Sequence, residues 1–411
     1  MSKWTKVKLG NVCLIAKGEQ LNKLDLEKAG EYPCINGGIS PSGFTDNWNT
    51  EANTITISEG GNSCGFVSFQ TKRFWSGGHC YSLLELKGNI YKGFLFQALK
   101  GNESAIMSLR VGSGLPNIQQ KAIRDFELII PDALPEQRQI ATILSTADAV
   151  IEKTQAAIAK YKAIKQGMLQ DLFTRGIDTT TGKLRLRYQD APELYKESKL
   201  GWIPGEWEVV TIENIAKVHG RVGWKGYTVS DLRETGPLAL GATHIDKENK
   251  LDLAKPVHLS MDKFIESPEI MVYFGDILIV QRGTIGKIVI IDREIGDATI
   301  NPSMVILNTI KINSFFLYFQ LCSFIGQRQI ELLTSQTGVP MISQKQINSI
   351  KITIPKNDNE TNSIAIRIQS IDKIIFNEEE LLSKQKQIKA GLMSDLLSGK
   401  KQVTIKENQM A

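Results

Sequence analysis

The stretch Gly114-Leu-Pro-Asn-Ile-Gln-Gln-Lys-Ala-Ile123 returns at 338–347 as Gly-Val-Pro-Met-Ile-Ser-Gln-Lys-Gln-Ile. The offset from Pro116 to Pro340 also joins Pro131 to Pro355, Asp148 to Asp372, Gly167 to Gly391 and Asp171 to Asp395. A gap-free register of this length marks the duplication of a whole domain, not a solenoid of short repeats. Towards the chain start the offset shrinks. Trp4-Thr-Lys-Val matches Trp207-Glu-Val-Val, so the second copy has gained length between its tryptophan and its Gly-x-Pro. Each half therefore joins a variable front segment to a fixed back segment. Such a chain is built to present two specificities on one frame.

Composition is consistent with this and adds no function. The 411 residues leave room for two domains that each bury a core, and 42% hydrophobic with 23% charged residues is ordinary globular protein. A net charge of +5 permits an anionic partner without demanding one. No apolar run approaches the ~18 residues of a membrane span, and the start, Met-Ser-Lys-Trp-Thr-Lys-Val-Lys, has no hydrophobic signal core. A cytoplasmic location is expected. The five cysteines (Cys13, Cys34, Cys64, Cys80, Cys322) form no C-x-x-C pair, so reduced thiols are expected. A zinc site from Cys64, His79 and Cys80 can be drawn, but the spacing argues for incidental side chains, and no metal is expected.

The fixed segments read as long helices. From Glu136 to Leu172 there is no proline and one glycine, Gly167. A heptad frame places Ile140, Ala147, Thr154, Tyr161 and Met168 at a, and Leu144, Ile151, Ile158, Lys165 and Leu172 at d. The second copy keeps the seam through Ile364, Ile368, Ile371, Ile375, Glu378, Leu382, Gln385, Lys389, Leu392 and Leu396. Each helix would run ~37 residues, or roughly 55 Å. Matched seams favour mutual, antiparallel pairing over two helices each lying on its own domain. Pro135 and Glu136 suit the first helix start, and Asp358 or Asn359 the second cap. The expected divisions are a front domain at 1–134, a long helix at 135–176, a polar linker at 177–206, a second front domain at 207–357, a second long helix at 358–400 and a tail at 401–411.

The front segments read as mixed α+β. Ile55–Ser58 and Phe66–Phe69 flank the glycine turn 60–65, and Asp276–Val280 leads through Gly283 and Gly286 into a second strand ending at Asp292. Shorter helices are expected at Tyr91–Lys100 and Ser314–Leu333. Turn residues able to reach base edges or phosphates are Asn62, Lys72, Arg73, Trp75 and His79 in the first copy. In the second they are Arg221, Lys225, Tyr227, Arg282, Thr284 and Lys287.

Leu134-Pro-Glu-Gln-Arg-Gln-Ile-Ala141, continuing through Ala163-Ile-Lys-Gln-Gly-Met-Leu-Gln-Asp-Leu-Phe-Thr-Arg-Gly176, resembles the central conserved region of type I restriction–modification specificity subunits. Gly201-Trp-Ile-Pro-Gly-Glu-Trp-Glu-Val209, the Gly-Asp-Ile-Leu-Ile strand at 275–279 and both Gly-x-Pro-x-Ile segments are similar to the same family. The likeness spans the chain in order, except that Asp358-Asn-Glu-Thr replaces a second Pro-Glu-Gln motif. It implies an α+β fold: two target recognition domains of mixed strands and helices, joined by two long antiparallel coiled-coil helices in a pseudo-twofold duplicated arrangement. It implies a non-catalytic reader of a bipartite, asymmetric site in double-stranded DNA. Two copies of a DNA methyltransferase subunit would dock on it, and two motor/endonuclease subunits could be added. S-adenosylmethionine, ATP and Mg²⁺ would belong to those partners, with no cofactor in this chain.

Catalytic motifs yield near misses. Asn301-Pro-Ser-Met304 lacks the second proline and the aromatic of an amino-methyltransferase loop, so it reads as a turn. No Gly-x-Gly-x-x-Gly sits between a strand and a helix, and there is no phosphate-binding Gly-Lys-Ser/Thr loop. Asp246, Glu248 and Lys250 could be drawn as a nuclease metal set but read as a solvated face. The remaining alternative is a coiled-coil scaffold without DNA readout. The recognised DNA sequence is not legible.

Overall fold

The computed structural model describes residues 3–22, 26, 29–112, 114–221, 226–334, 341–401 and 403. The chain divides into two compact units, one from 1–157 with 378–411 and the other from 158–377.

The first unit is built on an antiparallel sheet in the order Leu14–Lys17, Cys80–Leu84, Thr54–Ser58, Val67–Gln70. Ile55 and Ile57 point to the main core with Leu83, Phe94, Leu95 and Leu99. The alternate residues Thr56 and Ser68 share a 2.8 Å hydroxyl hydrogen bond, as Ser76 and Ser82 do at 2.9 Å. This is the period-two alternation of a strand with one apolar and one polar face. A smaller sheet (Gly43–Thr45, Tyr32–Ile35, Trp75–Ser76) adjoins it in sequence, and Trp4–Lys8 clasps Glu127–Pro131.

The second unit repeats the plan. Its sheet runs Lys217–Gly220, Met304–Asn308, Ile277–Val280, Ile288–Ile290, and Trp207–Thr211 clasps Lys351–Pro355 with Trp207 opposite Pro355, as Trp4 stands opposite Pro131. Here both sheet faces are apolar: Ile277 and Ile279 enter one core, Leu278 and Val280 another. The added length of this copy falls mainly between Gly220 and Ile277, where the long strand Leu232–Leu240 forms. The helix expected at Ser314–Leu333 is two helices, Ser314–Cys322 and Phe324–Thr334. Ser323 breaks it by taking an extended backbone and turning its hydroxyl onto Gln320 O at 2.6 Å.

Asp276 opens the central strand of this sheet, buried, with one carboxylate oxygen accepting from Tyr273 N at 2.8 Å. Burial raises its pKa from 3.8 to about 6. An acid with a raised folded pKa holds its proton longer in the native state. Its contribution is therefore most favourable below pH 3.8, is lost between 3.8 and 6, and is a full penalty above 6. Asp276→Asn keeps the acceptor and removes the charge. It should raise stability by roughly 2 kcal/mol at pH 7–8, with no gain below pH 4, in thermal unfolding across pH. Equal gains at both pH values would contradict this assignment.

The two long helices run Leu134–Arg175 and Asp358–Leu396, so the rise of 1.5 Å per residue makes them about 63 and 58 Å long. Pro135 lies in the first turn, where its missing N–H costs nothing. The cap of the second is Asn357, not Asp358 or Asn359, because Asn357 Oδ1 accepts from Asn359 N at 2.9 Å. In the first unit Ile140 and Leu144 are fully buried with Leu396, and Asp148 pairs with Lys389. In the second unit Leu169, Leu172 and Phe173 pack with Ile364, Ala365 and Ile368, and Lys165 pairs with Asp372 at 2.6 Å. Advancing along one helix retreats along the other in both units, which is antiparallel pairing. Ile158, Ile371 and Ile375 are buried and Ile151 is half-buried. At both ends the seam residues belong to their own unit's core as well, so pairing and packing on the domain coexist.

The two ion pairs are copies of one another: Asp148 precedes Asp372, and Lys165 precedes Lys389, by the same offset that joins Pro116 to Pro340. They account for the two lysines in the heptad seam, Lys165 and Lys389. Each is worth on the order of 1 kcal/mol at most, but only the antiparallel register satisfies both.

The stretch 177–206, expected as a linker, is folded. Ile177–Asp178 pairs with Lys183–Leu184, and Tyr195–Ser198 with Gly201–Pro204. From it Arg185 grips the buried Glu360 through two hydrogen bonds of 2.5 and 3.0 Å, while Ile177 N (2.8 Å) and Trp207 Nε1 (3.2 Å) donate to the same carboxylate. A Cβ at Gly176, where φ is +63°, would press into Glu360 Oε1. Glu360 is the counterpart of Glu136 in the duplicated register, and Glu136 is also buried, which raises its carboxyl pKa. The second copy thus keeps the glutamate of Pro-Glu-Gln and changes only its neighbours.

Candidate nucleic-acid interface

Each sheet has one end where four chain segments converge on glycine-rich turns. In the first unit these are Lys17–Gln20, Glu59–Ser63, the turn before Cys80 and Pro116–Ile118. Backbone hydrogen bonds fasten them: Glu59 N donates to His79 O (2.9 Å), Ile118 N to Glu59 O (2.8 Å), Gly61 N to Pro116 O (3.0 Å) and Gly18 N to Cys80 O (2.9 Å). Gly37 closes in beside them with φ at +80°, and a Cβ there would sit 2.5 Å from His79 O. The second unit repeats the frame. Gln281 N donates to Ser303 O (2.8 Å) and Ile342 N to Gln281 O (3.0 Å). The second Gly-x-Pro, at 338–340, lies outside the described residues, and Met341 bridges to Arg282.

The sequence-derived candidates divide by position. Asn62 and His79 are exposed at this end of the first unit. Trp75 is half-buried beside them and donates its indole N–H to Glu19 O at 2.9 Å. Lys72 and Arg73 are exposed but lie past the opposite end of the hairpin, beyond the Thr54–Gln70 pair. Arg73 bonds Glu51 at 3.0 Å and stacks 4.3 Å over Trp48. In the second unit Arg282 and Thr284 are exposed on the turn after Val280. Lys287 is half-buried and donates to Ile245 O at 2.7 Å, so it serves the fold.

Arg221 is a correction. It is only 5% exposed, donating to Ile300 O and Thr299 Oγ1 at 3.0 Å each, and burial lowers its pKa. Tyr227 is half-buried with its ring 5.8 Å from this guanidinium, and Lys225 lies outside the described residues. The arginine is drawn inward by the Ala298–Ile300 strand, which pairs with the long strand of the insertion. A reading of turn residues could not foresee that.

Among the described residues no three His, Cys, Asp or Glu side chains gather as a metal set. Cys64 turns its thiol onto Glu59 O at 2.9 Å, and burial pushes the Cys80 thiol up to about 12. Asp246 Oδ1 accepts from Glu248 N and Lys250 N, both at 2.8 Å, so this trio is a turn. Asn301 Oδ1 accepts from Ser303 N at 2.9 Å, which makes Asn301-Pro-Ser-Met304 a turn as well. Among the described residues no helix is long and apolar enough to cross a membrane.

Three side chains that sequence reasoning missed, Glu59, Lys17 and Tyr81, complete the first loop end. Glu59 is 9% exposed, with Lys17 Nζ at 2.6 Å and Tyr81 Oη at 3.0 Å from Oε1 and His79 Nδ1 at 3.4 Å from Oε2. Burial, and then the hydrogen bond to Glu59, raise the Tyr81 phenol pKa. Aligning Glu59 with Gln281 in the duplicate would have flagged it.

Comparison with known proteins follows from this duplicated plan. The model of the type I restriction modification DNA specificity domain matches residues 1–161 and 204–387. The MjaVIII type I restriction enzyme specificity subunit of Methanocaldococcus jannaschii is 28% identical, over 97% of this chain and 92% of its own. A crystal structure of a type I restriction–modification S subunit from M. genitalium shares the fold, with a TM-score of 0.68 at 22% identity over 96% of both chains. With two matched copies covering most of its length, the chain belongs to the type I restriction–modification DNA specificity family, as a specificity subunit that recognises DNA sequence.

Proposed function

We propose that this chain reads a bipartite, asymmetric site in double-stranded DNA, one half by each unit, through the glycine-rich loop ends of the two four-stranded sheets. The recognition domains are residues 1–134 and 207–357, and the long helix pair sets the spacing between half-sites. The observation that carries this is one backbone frame made twice with different side chains on it: Ile118 N to Glu59 O in one unit, Ile342 N to Gln281 O in the other. A constant frame fixes where a base edge would lie, while Asn62 and His79, or Arg282 and Thr284, decide which edge is accepted.

The chain supplies no chemistry in this account. Two methyltransferase subunits dock on the frame in the cytoplasm and bring S-adenosylmethionine, and motor/endonuclease subunits use ATP and Mg²⁺. Binding of the assembled methyltransferase to duplex DNA should weaken about 1,000-fold between roughly 50 and 200 mM salt, as phosphate neutralisation releases counterions. Salt-independent or absent DNA binding, measured by fluorescence anisotropy, would instead favour a protein scaffold.

A further inference from the structure

Glu59 and Gln281 occupy equivalent points of the two loop ends. The backbone N–H of each donates across the turn (to His79 O and Ser303 O), and the carbonyl of each accepts from the isoleucine of Gly-x-Pro-x-Ile. Their side chains differ. Gln281 turns inward, its Nε2 donating to Pro302 O at 2.9 Å and Met304 O at 3.4 Å. Glu59 has no donor to offer. Its Oε1 takes the Lys17 ammonium and the Tyr81 hydroxyl, while Oε2 is buried with no hydrogen-bond partner, 3.4 Å from His79 Nδ1. A carboxylate so enclosed depends on nearby positive charge. The Lys17 ammonium supplies it at Oε1 and the His79 ring stands against Oε2; with side chains 51% and 61% exposed, both keep their outer faces in solvent.

We propose that Glu59 is a positioning residue for the first half-site: it holds the Lys17 ammonium and the His79 imidazole beside the Gly60–Gly61 turn. There they meet an acceptor on DNA, either a phosphate oxygen or the O6/N7 edge of guanine. This rests on the loop ends facing DNA. The second unit, with Gln281, has no such anchored lysine and histidine among its described residues, so the two ends differ in charge at a matched point of the frame.

The test is Glu59→Gln in the full chain assembled with its methylation subunits. Glutamine already occupies position 281 on the same backbone frame, so the variant should fold, which the unfolding midpoint checks. It loosens the hold on the Lys17 and His79 side chains and removes one negative charge. With a guanine acceptor, discrimination between the cognate first half-site and single-base variants should then fall about tenfold or more; with a phosphate acceptor, affinity for all sequences should fall about tenfold instead. Discrimination at the second half-site should be unchanged in either case. First-half discrimination and overall affinity both unaltered in Glu59→Gln, or an equal loss of discrimination at both halves, overturns the proposal.

If the midpoint drops, the half-exposed Lys17→Met decides: tenfold lost discrimination or affinity at the first half-site supports it, and no change refutes it. Lys17→Met also separates the two acceptors. A guanine contact relaxes specificity at one position, whereas a phosphate contact weakens all sequences evenly and lowers the salt slope by about 1. If Asn62→Ala and Lys17→Met both leave cognate binding intact, the loop ends do not face DNA at all. An effect of Asn62→Ala with none of Glu59→Gln removes only the role of Glu59.

Discussion

Inserting one heptad into each long helix, after Thr154 and after Glu378, should lengthen the unspecified spacer of the methylated site by about 3 base pairs while both half-sites keep their sequence. Seven residues add roughly 10 Å of helix and preserve a seam of period 3.5. Both insertions fall near the boundary between the two compact units, at 157/158 and 377/378. The Asp148–Lys389 pair therefore stays within the first unit and the Lys165–Asp372 pair within the second. Antiparallel pairing makes the two inserted segments overlap, so neither faces a gap.

On DNA, roughly 10 Å corresponds to about 3 base pairs, which also rotate the second half-site by roughly 100° at about 10–10.5 base pairs per turn. The duplex must twist to present both halves, and that deformation has a cost of order 1–6 kcal/mol. Methylation at the new spacing should therefore be slower than at the original in the parent protein. A folded variant that keeps the original spacing would show that the helices do not set the distance.

The parts of the fold that follow local periodicity were legible. The hairpin at Thr54–Gln70 alternates with period two around a glycine turn, the apolar runs at Ile277–Val280 and Ile288–Ile290 flank another, and both pairs form where expected. The long helices follow from unbroken heptads. The seam lysines Lys165 and Lys389 were not interpretable until they met Asp372 and Asp148, since the partners belong to opposite halves of the duplicated sequence. Glu360 and Arg185 were hidden for the same reason. A lone glutamate near a helix start looks like a surface charge until an arginine 175 positions away closes on it.

The candidate site was only partly legible. Turn chemistry marks Asn62, His79, Arg282 and Thr284 as exposed, and they are. It cannot tell which end of a hairpin a loop residue serves, which is why Lys72 and Arg73 were grouped with His79. Nor can it see an arginine being swallowed. Arg221 is buried because Thr299 and the Ile300 carbonyl satisfy its guanidinium, and both come from a strand far downstream. Glu59 carries no motif at all; only its mismatch with Gln281 on a shared frame singles it out.

If two independent readers sit on one frame, each can be exchanged without the other. Replacing residues 1–134 with the corresponding segment of another specificity subunit tests it most directly. The break falls where the first long helix begins, at Leu134, so the helix seam remains that of the parent beyond the junction. Ile140 and Leu144 pack against the exchanged domain and need apolar partners of similar volume, which sets the choice of donor. The measurement is the set of methylated adenines in DNA modified by the exchanged chain with its methyltransferase subunits, mapped by single-molecule sequencing. With independent readers, one half of the motif changes completely to the donor's, while the other half and the spacer length remain those of the parent. A motif changed in both halves, or in neither, would contradict it.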